Sequence, residues 1–499
     1  MKAEDDDRNQ KHDVSRRQFI GTGGALLAAG TAVGVLFGSK PAEALPIPKK
    51  WDKKTDVLVI GSGVAGLCAA IEAAKAGSKV IVLEKEPITG GSSAVCGGQW
   101  AFAGTSMQRD QGIKDSADLF FKDLMQVGGQ KSDPQLVKTY VDASNDAFEF
   151  LKSMGVQFTE IGIFPGLSVP RAHFAKPSVV LDLLRKEALR HGAVIMTRTP
   201  AKRLFVDANG RVVGVKADQS GKAMTLMARK AVILSAGGFA ANPEMLEEFS
   251  DMPLSLCLSI SAPGSTGDGI SMAMDIGAGT KQISLGVMPG CTTDVKTRFI
   301  TMPHYHGAVC LNKEGKRFVN ESVSYMTVAK AALDQPEALV LQVGDAKVYE
   351  SAMKDYLAKM GDPKKADSLD ALAPMIGLDP KALKETIETY NGYCKAGKDP
   401  DFKRFTLVGV AGKPFPIETA PFYGFITKPA MIATQGGLKV NAKTQVLKVF
   451  GEVIPGLYAC GEIMGGVHGT GYATGSQMGK GVVFGRIAGK NGAAEKVRA

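Results

Sequence analysis

Gly61-Ser62-Gly63-Val64-Ala65-Gly66 sets three glycines in a GxGxxG pattern, and an acid, Glu84, follows 23 residues after the first. Each residue type has a physical task. Gly61 permits a tight turn, Gly63 lets backbone approach a pyrophosphate, and Gly66 lets a helix pack closely on a strand. Ser62 and Ala65 complete the turn, where the start of a helix points free N–H groups at phosphates. Glu84 stands where a carboxylate takes ribose hydroxyls, with Lys85 beside it. The pattern predicts a dinucleotide site; an ordinary strand–helix–strand unit without a ligand is the plain alternative. Gly90-Gly91-Ser92-Ser93 with Gly97-Gly98 is a further run able to lay backbone N–H groups along a long cofactor. Ala236-Gly237-Gly238 stands at the end of an apolar strand, where ligands sit in open α/β sheets. In Thr266-Gly267-Asp268-Gly269, Asp268 is either a helix N-cap or a cofactor contact.

A second set of residues carries protons. His304 and His306 flank Tyr305, and in a strand that spacing puts both imidazoles on one face. Tyr325, Tyr349 and Tyr472 supply phenols, and Glu321 supplies a carboxylate four residues after Arg317. His468 sits in the glycine-rich Gly465-Gly466-Val467-His468-Gly469. Every one has a bland reading. A tyrosine packs in a core with its hydroxyl tied off, Glu321 pairs with Arg317, and His468 is a packed, hydrogen-bonded histidine. No Cys or carboxylate cluster accompanies the histidines, so no metal site is expected.

These residues need a frame. Val57-Leu58-Val59-Ile60 is a short, β-branched apolar run and predicts a buried strand. A small-residue helix runs on through Ala76, Gly77 stops it, and a second strand covers Lys79–Leu83. A Gly/Ser loop rather than a new helix is expected after Glu84. Helices follow over Asp115–Gln126, Pro134–Met154 and Asp182–His191, then strands over Val194–Thr197, Lys202–Val206, Val212–Ala217 and Lys230–Ser235. Ile270–Ile276 is helical. From 282 to 422 the strand–helix rhythm fades, apart from a hairpin near Glu314-Gly315 and a helix over Leu383–Ala396. The rhythm returns in the strand that ends at Gly461-Glu462 and the helix from Gln477 to Lys490.

At 499 residues the chain has room for two or more domains, and 59 glycines suit many backbone–ligand contacts. The net charge of +10 fits an anionic substrate, an acidic redox partner or merely a solvated basic surface. No basic–aromatic interleaving suggests nucleic acid. Seven scattered cysteines lack paired, zinc or haem spacing. Ser15-Arg16-Arg17-Gln18-Phe19-Ile20 resembles a twin-arginine export signal, and Ala42-Glu43-Ala44 after a Gly/Ala-rich stretch resembles a signal-peptidase site. Residues 1–44 are therefore expected to be a leader read by the twin-arginine machinery, and the mature protein to be periplasmic.

The fingerprint at 56–66, the Gly/Ser loop at 90–98, TGDG at 266–269, GKRFVNE at 315–321 and GLYACGE…GGVHG at 456–469 together resemble the fumarate reductase/succinate dehydrogenase flavoprotein family. Its relatives include urocanate reductases and 3-oxosteroid dehydrogenases. The resemblance implies an α/β fold: a Rossmann-like FAD-binding domain (52–281 and 423–499) with an inserted α+β capping domain (282–422). It implies non-covalent FAD, with Ala201, Asp268, Glu462, His468 and Ser476 among its contacts. It implies hydride transfer from flavin N5 to an activated C=C bond and proton delivery to the neighbouring carbon, with Tyr349, Tyr472, His304, His306 and Glu321 as candidate donors and anchors. Three departures bear on the substrate. Tyr472 stands where the family has a carboxylate-gripping Arg, Ile432 and Ala433 stand at a His pair, and Tyr349 (or Lys347) stands at the cap Arg. Fumarate is therefore not expected; a ketone, ester or monocarboxylate is. Lacking a haem motif, the protein is expected to take electrons from a separate c-type cytochrome or quinol-linked donor. The alternatives are a 3-oxosteroid-like dehydrogenase and a flavin electron carrier without turnover.

Overall fold

The computed structural model describes residues 45–498 other than 165, 251, 284–286, 293–300, 324, 356–362 and 408–411, so the expected leader lies outside the described residues. Residues 44–499 form one compact unit. In chain order the elements used below are β1 (Lys53–Ile60), α1 (Val64–Lys75), β2 (Val80–Leu83), β3 (Val194–Met196), β4 (Ala201–Val206), β5 (Val212–Gln219) and β6 (Lys222–Leu234). Then come β7 (Val309–Leu311), β8 (Val340–Gly344), α2 (Pro380–Ala396), β9 (Phe422–Thr434), β10 (Gln445–Leu447), β11 (Val453–Ala459) and α3 (Ser476–Ala494).

The apolar run after Asp56 is the centre of the larger sheet, whose order is β10-β11-β6-β1-β2-β3. The six residues of β1 from Thr55 to Ile60 are all buried, as a parallel strand covered on both faces requires. β1 lies parallel to both β2 and β6, and β11 lies parallel to β6. Four strands therefore end on the same edge, delivering Gly61, Glu84, Ser235 and Cys460 side by side. This is the carboxyl edge on which open α/β sheets bind ligands. β4 and β5 form an antiparallel meander attached to β6.

α3 packs across α1 through glycines spaced one turn apart. A Cβ on Gly485 would strike the Ala65 carbonyl oxygen, and one on Gly489 would strike that of Ala69. Glycine costs a helix interior about 1 kcal/mol relative to alanine; here that cost permits backbone-to-backbone packing and anchors the fingerprint helix.

The second sheet is built on β9, which pairs antiparallel with β8, as β8 does with β7. β9 also pairs with residues 287–292 and 364–366, and in parallel with Leu258–Ser259. Across the boundary expected at 422/423, residues 423–434 pair into this sheet, as do Leu258 and Ser259. Hydrogen-bonded strands continue there although the composition changes.

Local expectations are corrected elsewhere. His304 and His306 lie in a 3-10 turn, Pro303–His306, not in a strand; the proline opens the turn and Gly307, at φ 120°, closes it. Pro134–Met154 is two helices, Pro134–Asp142 and Ser144–Ser153, and the Gly/Ser loop contains a helical turn at Gly91–Ala94. No helix among the described residues is long and apolar enough to cross a membrane.

Candidate active site

A long cleft runs along the carboxyl edge of the larger sheet and on toward the second sheet. Gly61, Ser62, Gly63 and Ala65 line it at the start of α1, with Ala236 and Gly237 beyond β6. Gly61 has φ 101°, and a Cβ there would run into the Ser235 carbonyl oxygen. Gly66 lies behind this wall, where a side chain would collide with the Gly61 carbonyl oxygen. Its role is packing.

Glu84 lines the cleft and is fixed by three donors. The Ser62 N–H and hydroxyl reach Oε2 at 3.0 and 2.5 Å, and the Glu86 N–H reaches Oε1 at 2.9 Å. Lys85 Nζ donates to Asp268 Oδ2 at 2.8 Å, and both side chains line the cleft. Burial works to raise the Asp268 carboxyl, but hydrogen bonds from Lys85 and Thr266 outweigh it and its pKa is lowered. Asp268 does not cap its helix: the N-cap is Gly267, without a side-chain cap. Gly91, Ser92, Ala201 and Glu462 are also on the wall. Gly98 and Gly238 are not. A Cβ on Gly98 would press on the Ala175 carbonyl, and one on Gly238 would strike Thr434 and Glu462.

The far end of the cleft meets the start of α3. Tyr472 lines it, and its hydroxyl accepts the Gly475 N–H at 3.0 Å. Burial pushes its pKa up, so the phenol keeps its proton at neutral pH. The Tyr472 ring meets His468 edge to face at 5.6 Å. His468 and Ser476 sit behind the wall. The Ser476 hydroxyl donates to the Ala473 carbonyl at 2.5 Å, so its oxygen accepts His468 Nε2–H at 2.8 Å. His468 Nδ1 is then a bare acceptor, buried and unpartnered. Burial first, and the Lys480 charge second, hold this imidazole well below its ordinary pKa. Lys480, fully buried under the same corner, is pulled down to about 7 by burial, against the pull of Glu462.

Four expected catalytic residues are elsewhere. Tyr349 stacks on Tyr423 with ring centroids 3.9 Å apart, away from the cleft wall, and Lys347 is exposed. Glu321 is buried in ion pairs with Arg317 (2.8 Å) and Arg404 (3.5 Å). His304 donates Nδ1–H to Gln342 Oε1 at 2.7 Å, and its pKa falls to about 4 through burial. His306 bonds to Ser351 at 2.9 Å. The turn sends Tyr305, which sequence reasoning passed over as a spacer, to the cleft instead of its two neighbours. The Tyr325 side chain is outside the described residues. Gln477 also escaped notice, being one polar residue among many at a helix start.

The residues fit a dinucleotide with a polar-edged ring system. α1 and α3 both meet the cleft with glycine N-caps, Gly63 and Gly475, and neither has a side-chain cap. The Val64 N–H donates to Ser93 Oγ at 3.2 Å and the Ser476 N–H to the Ala473 carbonyl at 3.0 Å, while the positive dipole ends of both helices still point at the cleft and suit an anionic or electron-accepting ligand. Gln477 lines the cleft at the start of α3 with both amide atoms shielded from water and unpartnered. An amide so placed can hold a ring edge that presents both donors and acceptors.

Comparison with known proteins agrees with this geometry. The FAD binding domain family matches residues 56–477. The chain is 34% identical to a fumarate reductase (cytochrome) of Shewanella frigidimarina, over 81% of this chain and 71% of that protein. It is 33% identical to a urocanate reductase of Eggerthella lenta, over 91% and 77%. Among solved structures, the open conformation of a flavocytochrome c3 fumarate reductase superposes with TM-score 0.78 at 31% identity, covering 89% of this chain and 78% of that one. A 3-ketosteroid-Δ4-(5α)-dehydrogenase of Rhodococcus jostii RHA1 superposes with TM-score 0.76 at 27% identity, covering 91% and 99%.

Proposed function

Because the chain belongs to the fumarate reductase-like family of FAD-binding oxidoreductases, we propose that it reduces the C=C bond of an α,β-unsaturated acid or carbonyl compound in the periplasm. The observation that carries this reading is the single cleft in which the fingerprint turn, Glu84, the start of α3 and Tyr472 share one wall. Bound FAD supplies a hydride for the β-carbon, and the chain's residues supply the rest. The turn at Gly61–Ala65 holds the phosphates, and Glu84 and the Lys85–Asp268 pair hold the adenosine half. Gln477 and the start of α3 hold the end of the ring system that gains charge on reduction. Tyr472 delivers the proton to the α-carbon. The positive end of α3 steadies the enolate oxygen that develops as the hydride arrives.

Electrons come from a separate c-type cytochrome or quinol-linked donor, and the twin-arginine segment at 15–20 exports the folded, FAD-loaded chain. A second reading, a 3-oxosteroid-like dehydrogenase, is favoured by one observation: a phenol and apolar side chains stand where a carboxylate-gripping cation would be expected. One anaerobic experiment separates the two. The FAD-loaded protein, driven by reduced methyl viologen, is given enoates and enones, and the oxidised protein is given saturated ketones. Oxidation of the reduced methyl viologen with the unsaturated compounds is expected; bleaching of the flavin by a saturated ketone alone would reverse the direction.

A further inference from the structure

Beyond the cofactor-lining residues the cleft has a wall of Met302, Tyr305, Ile432, Ala433 and Tyr472, and Phe164 also lines the cleft. The first five are one packed hydrophobic cluster, completed by Met326. Its two phenols are tied to backbone: the Tyr305 hydroxyl donates to the Val323 carbonyl at 3.0 Å, and the Tyr472 hydroxyl accepts the Gly475 N–H at 3.0 Å. Ring faces, the Met302 thioether and aliphatic carbon make up this wall, with the Tyr472 O–H as its proton donor and Met326 packed behind. Methionine sulfur and aromatic rings attract one another, so such a wall suits a flat aromatic guest.

Charge points the same way. Among the described residues on the cleft wall the only cation is Lys85, which is paired with Asp268 at 2.8 Å in the cofactor half. Glu462 accepts the Thr434 N–H, next to Ala433, at 3.0 Å, and the two imidazoles that touch the wall, His304 on Tyr305 (4.4 Å) and His468 on Tyr472 (5.6 Å), are both held below their ordinary pKa by burial. Lys480, the buried cation that Glu462 screens, is not on the cleft wall. A substrate carboxylate pressed on this wall would lose its water without gaining a cation, and would face an acid as well.

We propose that the substrate is an uncharged aryl-conjugated enone, with its ring lying on the Tyr305–Met302–Ile432 wall. The proposal rests on the C=C reductase reading above and narrows it. The reaction balances: the π bond of the alkene breaks, one carbon gains hydride from reduced FAD, the other gains the Tyr472 proton, and water re-protonates the tyrosine. Tyr305 is a specificity-determining residue here. It contributes its ring, while its hydroxyl stays on the backbone.

The test uses the FAD-loaded protein and two matched alkenes, benzylideneacetone and cinnamate, with reduced methyl viologen as donor. The kcat/KM for the ketone is expected to exceed that for cinnamate at least tenfold, with fumarate slower still. The ketone should also perturb the oxidised flavin spectrum at concentrations where cinnamate does not. Ile432→Arg, which puts a cation into the wall, is expected to shift the ketone-to-cinnamate ratio at least tenfold toward the acid. Equal or faster reduction of cinnamate or fumarate by the unaltered protein overturns the narrowing and leaves the reductase reading standing. Absence of both turnover and spectral perturbation with every alkene overturns both. If Ile432→Arg does not retain FAD, Tyr305→Leu replaces it; that variant should weaken binding of benzylideneacetone several-fold and leave binding of a non-aryl enone, 3-penten-2-one, unchanged, and equal loss for both would count against the wall.

Discussion

At the scale of single residues, the legible positions were those whose task is set by their own backbone. Gly61 needs a positive φ next to the Ser235 carbonyl, so only glycine fits and the fingerprint can be read without a structure. Proton-carrying residues were less legible, because their use depends on which way a turn sends them. Pro303 and Gly307 bend the His-Tyr-His run into a 3-10 turn and present the middle residue, and Tyr349 is occupied by a ring, that of Tyr423, more than seventy residues away in sequence. Tyr472 is the expected acid that lines the cleft. Tyr472→Phe keeps the ring against His468 but removes the donor, so kcat is expected to fall about 100-fold or more, the range a general acid contributes. FAD absorbance should be unchanged, and thermal stability should fall by no more than the loss of the Gly475 N–H acceptor costs, about 1–3 kcal/mol. A variant with parental kcat would transfer the proton step to another group.

At the scale of elements, two glycine-bearing helices make opposite predictions for one substitution. α3 was legible as a helix, but its extent and its reason for glycine were not, since the contacts that require Gly485 are made by α1 from the other end of the chain. Gly485→Ala places a methyl inside the Ala65 carbonyl oxygen, and overpacking of this kind costs about 1–3 kcal/mol. Because Ala65 also lines the cleft, the displaced α1 should release FAD more readily. Gly392 sits in α2 with nothing within 4 Å of its would-be Cβ. Gly392→Ala should therefore stabilise the protein by about 0.4–1 kcal/mol through loss of unfolded-chain freedom and better helix propensity. Thermal unfolding with flavin fluorescence as the second probe checks both. Equal shifts in the two variants would mean that the α1–α3 contact is not tight.

At the scale of the molecule, the segment carrying the cleft's aromatic wall is held by buried charge. Arg317 bridges Glu321 and Asp399 at 2.8 and 2.9 Å, and Arg404 Nη1 lies 3.5 Å from Glu321. Arg404 also donates to the carbonyls of His304 and Ala308 at 2.6 and 3.0 Å, which fixes the turn that presents Tyr305. The sequence left Glu321 open between ion-pair partner and proton relay. Its burial between two guanidiniums, off the cleft wall, favours the first. Glu321→Gln leaves two buried cations facing one remaining acid, and breaking a buried pair costs about 3–5 kcal/mol. Asp399 adds a pH dependence. Burial works to raise its carboxyl, yet the Arg317 hydrogen bond and the backbone donors of Phe402 and Arg404 hold its pKa below the ordinary value. Its contribution is therefore complete above about pH 4 and is lost as pH falls further through the lowered folded value. The expected outcome is a lower Tm for Glu321→Gln at pH 7, with the loss of stability below pH 4 retained, because Arg317 still holds Asp399. Turnover of the folded variant at low temperature should stay within a few-fold of the parent. A variant with parental Tm but little turnover would instead make Glu321 a proton carrier, and the buried charges a conduit to Tyr472.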